Sequence, residues 1–177
     1  MSKKDFTLTS KILLHIVAAG SVAMPFVNPY KLRNKVLFGR DVEYEHYRQM
    51  VYYLARKGFI KIVDKNAQKF LKLTKAGKME ALIAKAKIPN IGKWDGKWRL
   101  FIFDIPEEAR DERQKLRFLL KSNNFRKLQA SVFISPYPLN RDAIKYLKTT
   151  GLISYIRIMK IEEMDDDRDL KKQFSLK

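Results

Sequence analysis

Apolar residues recur along this 177-residue chain at two different spacings, and the changes of spacing mark the elements. Thr9 or Ser10 can cap a helix in which Ile12, Leu13, Ile16, Val17 and Ala19 follow the three-to-four spacing of one buried face, ending at Gly20. His15 lies among them and reads as a packed residue. Asn28 and Pro29, a cap followed by a first-turn proline, open a shorter helix with Leu32 and Val36 inward, closed by Gly39. A third helix is predicted from about Asp41 to Lys57, with Tyr44, Tyr47, Val51 and Leu54 on one face. The period then drops to two in Phe59 to Val63 and Lys69 to Leu73, joined by a polar turn at Asp64 to Ala67, which is a hairpin. Thr74 caps a last helix, Lys75 to Lys87, with Met79, Leu82 and Ile83 on its apolar side.

Three helices followed by a basic hairpin is the element order of a winged helix-turn-helix, assigned to residues 1–88. The stretch 89–96 holds a proline, two glycines and polar turn formers, and reads as a linker. Beyond it an almost unbroken apolar strand, Lys97 to Ile105, leads to Asp104 near its end. Pro106, Glu107 and Glu108 supply helix-start chemistry for a helix to Asn123, with Ala109, Leu116, Leu119 and Leu120 inward and Arg110, Arg113, Arg117 and Lys121 elsewhere. Strands follow at Phe125 to Gln129 and Ser131 to Ser135. Asn140 caps a helix through Lys148 with Ile144 and Leu147 inward, and Ile153 to Glu162 alternates as a final strand. Strand, helix, strand, strand, helix, strand over residues 97–164 is the ferredoxin-like β-α-β-β-α-β arrangement, one antiparallel sheet with both helices on one face. The whole is therefore α+β, and the sheet's other face calls for a cover, which a homodimer would supply. Residues 165–177 read as a charged tail, and the run Asp165 to Asp167 as solvated carboxylates.

Charge decides what such a chain meets. The formal net charge is +18, and residues 1–88 carry 18 Lys plus Arg against 6 Asp plus Glu, whereas residues 89–177 carry 19 against 13. The excess of +12 against +6 lies where a winged helix would meet nucleic acid. No cysteine is present, which excludes a disulfide scaffold, a thiolate zinc site and a cysteine nucleophile. The uncharged run after Lys11 turns polar at Asn28 and Pro29, and its apolar part, Ile12 to Val27, is shorter than the roughly 20 residues of a spanning helix. No membrane span or secretory leader is read, and a cytoplasmic protein is expected.

The third helix shows Glu45, Gln49, Tyr52, Tyr53 and Arg56 on the face away from its apolar residues. Gln49, the two phenols and Arg56 are side chains that reach base edges and phosphates from a major groove, although Glu45 would repel a phosphate. Arg33, Lys35 and Arg40 flank the helix-turn-helix, and Lys61, Lys65, Lys69 and Lys72 line the wing, all suited to salt-sensitive phosphate contacts with double-stranded DNA. This binding requires no cofactor.

Two resemblances rest on the second half. Phe103-Asp104-Ile105, Arg110 and Arg113, and Gln129-Ala130-Ser131-Val132-Phe133 resemble the small CRISPR-associated endonuclease of the spacer-acquisition complex over about residues 97–162. The whole chain is similar in order to the PaaX-type transcriptional repressors: a winged helix, the junction Trp94-Asp95-Gly96-Lys97-Trp98-Arg99, then a middle domain of the same nuclease-like fold. Members of that family usually continue into a further C-terminal domain, for which no counterpart is read here. The second resemblance implies a dimeric DNA-binding regulator, a repressor, with winged helices held by the ferredoxin-like core. The first implies an alternative, a metal-dependent nuclease or adaptation scaffold, with a CRISPR integrase as partner. In that alternative Asp104 is the catalytic residue and ligand of Mg or Mn. Without it, Asp104 ends a strand, helps start the following helix or pairs with Arg110 or Arg113. An architectural DNA-bound protein without a regulatory role is a third reading.

Overall fold

The computed structural model describes residues 7–18, 24–25, 44–65 and 68–176. They form two compact units, Met1–Ala84 and Lys85–Lys177. The helix expected after Asn28 and Pro29 lies outside the described residues, as do Ala19, Gly20 and Gly39.

In the first unit, helix α1 spans Leu8–Ala18 and buries Ile12, Leu13 and Ile16, as its spacing predicts. Its cap is Thr7 rather than Thr9 or Ser10. The Thr7 hydroxyl accepts the amide of Ser10 at 3.3 Å, and the Thr7 carbonyl accepts the amide of Lys11 at 3.0 Å. His15 is half-buried, and burial holds its pKa below the ordinary value, so the imidazole is neutral at pH 7.

A short strand β1, Met24–Pro25, follows where no strand is expected from the sequence. It pairs antiparallel with β3, which is Gln68–Leu73, and β3 pairs with β2, Ile60–Lys65, giving a sheet of order β1-β3-β2. Asp64 and Lys65, expected in the turn, are ladder residues opposite Lys69 and Gln68. Helix α2, Tyr44–Arg56, precedes the hairpin and places Tyr47, Val51 and Leu54 in one core with Ile12, Leu13, Ile16, Ile60, Leu71 and Leu73.

Helix α3, Lys75–Ala86, begins at Thr74, whose hydroxyl accepts the amide of Gly77 at 3.0 Å. The same threonine donates from its own amide to the Phe59 carbonyl at 3.0 Å and from its hydroxyl to the Gly58 carbonyl at 2.6 Å, so the helix start is tied to the turn before β2. Gly77 makes that approach feasible, because a Cβ there would stand 1.8 Å from the Phe59 oxygen. The residues α3 buries most completely are Gly77, Ala81, Ala84 and Ala86, while Met79, Leu82 and Ile83 are only half-buried. Close packing selects small residues here over the large apolar ones that the periodicity favours.

The second unit has four antiparallel strands: β4 (Trp98–Phe103), β5 (Arg126–Gln129), β6 (Val132–Ser135) and β7 (Ile156–Ile161), in the order β5-β6-β4-β7. This is the ferredoxin-like order, with central strands β4 and β6 and helices α4 (Arg110–Ser122) and α5 (Arg141–Thr149) between strands. A 3-10 turn, Glu107–Ala109, precedes α4, so the acidic pair and Pro106 start that turn rather than the α-helix. Asn140 caps α5 by accepting the Ala143 amide at 2.8 Å. Helix α4 ends in a Schellman arrangement: Asn124 is left-handed at φ 62°, and the Phe125 amide reaches the Leu120 carbonyl at 2.9 Å.

Strand alternation sorts the sheet. Phe101 and Phe103 of β4 and Phe133 of β6 turn to the helix side, with ring centroids 6.1 to 6.5 Å apart, and are buried together with Leu116, Leu119, Leu120 and Leu147. Trp98, Leu100 and Ile102, opposite Val132 and Ile134, turn to the other side. Part of that second face is covered by the chain itself. Residues 165–177, read as a charged tail, contain helix α6, Arg168–Phe174. Its Leu170 is buried against Trp98 and Ile134, with Trp94, Met164, Phe174 and Leu176 packed around them. The three apolar residues among so many charges were too sparse to signal a helix.

Candidate nucleic-acid interface

Helix α2 has too many polar residues to be buried all round, and its core-facing stripe fixes which side remains outward. Glu45, His46, Arg48, Gln49, Tyr52 and Arg56 are exposed, Tyr52 by 48 % despite its large ring. Tyr53, expected beside them, is half-buried against the core instead, and the Lys57 ammonium stands 5.8 Å from its ring centroid. Four residues after Gln49, Tyr53 falls on the flank where the helix turns toward its core.

Glu45, an unfavourable neighbour for a phosphate, is held by Arg48 at 2.9 Å. Sequence reading passed over Arg48 and His46, though both belong to the outward side. The available signal was their position one and three residues before Gln49, on a helix whose other side is apolar.

The hairpin contributes a second strip of charge. Ile60, Leu71 and Leu73 are buried, and alternation sends Lys61 and Lys72 outward, where both are exposed. They stand directly opposite each other across the ladder. Like charges in that position oppose pairing, so the hairpin forms at an electrostatic cost that a polyanion would relieve. Lys69 is exposed nearer the tip, opposite Asp64. Lys65 ends β2 opposite Gln68. Arg33, Lys35 and Arg40 lie outside the described residues.

Asp104 follows β4 and is exposed, and its amide donates to the Tyr155 carbonyl at 3.0 Å. It pairs with neither Arg110 nor Arg113; the Arg113 guanidinium instead donates to Glu107. A hard divalent cation takes about six oxygen ligands. Among the described residues no group of three or more carboxylates, histidines or cysteines is placed to hold one. Asp104 thus supplies one carboxylate per chain.

The junction motif closes on itself. The Arg99 guanidinium clasps Asp95 at 2.6 and 2.9 Å, and the Asp95 carboxylate also accepts the Lys97 amide at 3.2 Å. These contacts, the Arg99 guanidinium foremost, bring the Asp95 pKa down to about 2. Gly96 takes the left-handed conformation that this turn requires, φ 78°. The Trp94 indole donates to the Lys97 carbonyl at 3.0 Å, and the Trp98 indole donates to Asp167 at 3.0 Å. Lys171 bridges Asp167, at 3.0 Å, and the Trp94 ring, at 5.7 Å. The motif is thus the seat of the C-terminal helix.

No helix among the described residues is long and apolar enough to cross a membrane. No curated protein matches the chain. Residues 92–172 match the family model described as the PaaX protein central Cas2-like domain.

Proposed function

The chain belongs, by its residues 92–172, to the PaaX-type family, and from that premise we propose that it is a dimeric DNA-binding transcription regulator acting as a repressor. In this reading the first unit is a winged helix. Helix α2 reads bases through Gln49, Tyr52 and Arg56, and Lys61, Lys69 and Lys72 of the hairpin hold phosphates. The observation that carries it is the Lys61–Lys72 pair facing each other on an exposed hairpin that follows a polar, basic helix face. An ordinary solvated hairpin gains nothing from such a pair.

The dimer rests on the part of the second sheet face that α6 leaves uncovered. By register, Ile102 of β4 lies beside Val132 of β6, and Met159 of β7, 40 % exposed, lies opposite Leu100. An apolar strip on one face of a sheet favours a second copy as its cover. Two copies would present two readers to a palindromic site.

Footprinting on DNA from the neighbourhood of the gene, with wild type and Arg56→Ala, tests the reading. A protected palindrome in wild type, with site preference lost in the variant, is expected. Binding that is sequence-independent in both proteins would refute base reading by α2, and sedimentation as a monomer at the binding concentration would refute the dimer.

A further inference from the structure

The carboxylates of the second unit are unevenly engaged. Asp95, Glu162, Asp166 and Asp167 are tied to Arg99, Lys97, Lys160, Arg168 and Lys171, near the junction motif and the C-terminal helix. Along α4 the balance is different. Arg110, Arg117 and Lys121 fall at i, i+7 and i+11, which is one stripe of a helix, and none has an ion pair among the described residues. At 1.5 Å per residue the stripe is about 16 Å long. Asp111 and Glu112 project from other flanks; Glu107 is bound by Arg113 and also lies within electrostatic reach of Arg110 and Arg117, though it forms no ion pair with either.

The stripe continues onto the sheet edge. The Arg117 guanidinium donates to the Ala130 carbonyl in the β5–β6 turn at 3.3 Å and lies 5.9 Å from the Phe103 ring centroid. These contacts hold it in place, so less side-chain freedom is lost when it meets an anion. Lys127 of edge strand β5 pairs with Phe133, which places it on the same side of the sheet as α4, and it is exposed. Phe118, 58 % exposed, stands on the outward face of α4 with the Lys87 ammonium 5.3 Å from its ring centroid. Its ring is occupied by a cation, which favours a backbone-binding surface over a platform for stacked bases.

We propose that the outward face of α4 with Lys127 is a second DNA-contacting surface, which binds the phosphodiester backbone of duplex DNA without reading sequence. Along the duplex axis each strand presents a phosphate about every 3.4 Å, so a 16 Å stripe of cations spans several phosphates. The proposal rests on the reading of this chain as a DNA-binding protein, but assigns to the second unit a contact that the helix α2 reading does not use. Affinity from this surface is shared by specific and non-specific sites.

The test measures the salt dependence of DNA affinity for the full chain and for the triple variant Arg110→Gln, Lys121→Gln, Lys127→Gln, on the footprinted site and on a random duplex of the same length. Each phosphate contact contributes about 0.9 to the slope of log K against log salt. The expected result is a slope shallower by about two to three, with affinity falling about tenfold or more on both duplexes and their ratio unchanged. The charge-conserving variant Arg110→Lys, Lys121→Arg, Lys127→Arg keeps the wild-type slope. A triple variant with wild-type slope and affinity would overturn the proposal. So would a fall confined to the footprinted site. Failure of base reading by α2 is separable, because it appears as unchanged site preference in Arg56→Ala and leaves the slope comparison intact.

Discussion

Replacing Gly77 by alanine sets two effects of opposite sign against each other. In an exposed helix interior the change is favourable by about 0.5–1 kcal/mol, because glycine loses more backbone entropy on folding. In α3 the added methyl would stand 1.8 Å from the Phe59 oxygen, 2.8 Å from its carbon and 3.1 Å from a methyl of Leu73. The closest of these is backbone, so it cannot turn aside as a flexible side chain would. It is also the oxygen that accepts the Thr74 amide, beside the Gly58 carbonyl that accepts the Thr74 hydroxyl, so retreat of α3 would strain the bonds that start the helix. Overpacking of this kind costs about 1–3 kcal/mol, occasionally more. The balance is a loss of about 1–2 kcal/mol, and for a unit of 84 residues that lowers the melting temperature by about 5–15 °C. Thermal unfolding followed by circular dichroism, together with hydrogen exchange of the first unit, reads the effect. Gly92→Ala, where nothing lies within 4 Å of the added atom, is the control and should melt close to wild type. A Gly77→Ala protein as stable as wild type, or more stable, would refute the packing of α3 on the turn at Phe59.

Leu170→Ala is expected to cost about 2–4 kcal/mol, because Leu170 is 5 % exposed and packs on Trp98 and Ile134. The chain's two tryptophans, Trp94 and Trp98, both lie in that cluster, so their emission should shift to the red; unchanged emission would refute the seating of α6. The depressed pKa of Asp95 gives a stability contribution fully present above its ordinary value of 3.8 and lost as pH falls through about 2. Acid titration of unfolding should therefore show less pH dependence between about 4 and 2 in Asp95→Asn than in wild type, and identical curves would exclude the Arg99 clasp. Asp104→Ala should leave melting temperature and DNA affinity within error of wild type, since the side chain is exposed and makes no ion pair. Cleavage of nucleic acid with magnesium or manganese that disappears in this variant would favour the nuclease alternative.

Much of the fold was legible because periodicity is a local record of which side of an element faces apolar surroundings. Tyr47, Val51 and Leu54 marked the inner side of α2, and the alternation in Ile60 to Leu73 marked the hairpin and its outward lysines. The ferredoxin-like order followed from element types alone, and the observed strand order agrees with it. Capping chemistry was equally local at Thr74 and Asn140, each of which meets an amide three residues ahead. At α1 the same logic was off by a few residues, since Thr7, Thr9 and Ser10 all carry hydroxyls and only the backbone decides which of them caps.

Pairings between residues distant along the chain were not legible in this way. Tyr53 is half-buried against the core of the first unit instead of facing outward with Gln49 and Tyr52. Asp167 appeared among three adjacent aspartates as a solvated charge, yet it accepts the Trp98 indole across 69 residues of sequence. Arg113 chose Glu107 over Asp104, and that choice left the aspartate at the strand end exposed. Local pattern sufficed for most elements, their inward faces and the excess of positive charge, because those depend on composition and on neighbours a few residues away. Which charges are paired within the chain, and which stay unpaired among the described residues, depended on segments brought together only by folding.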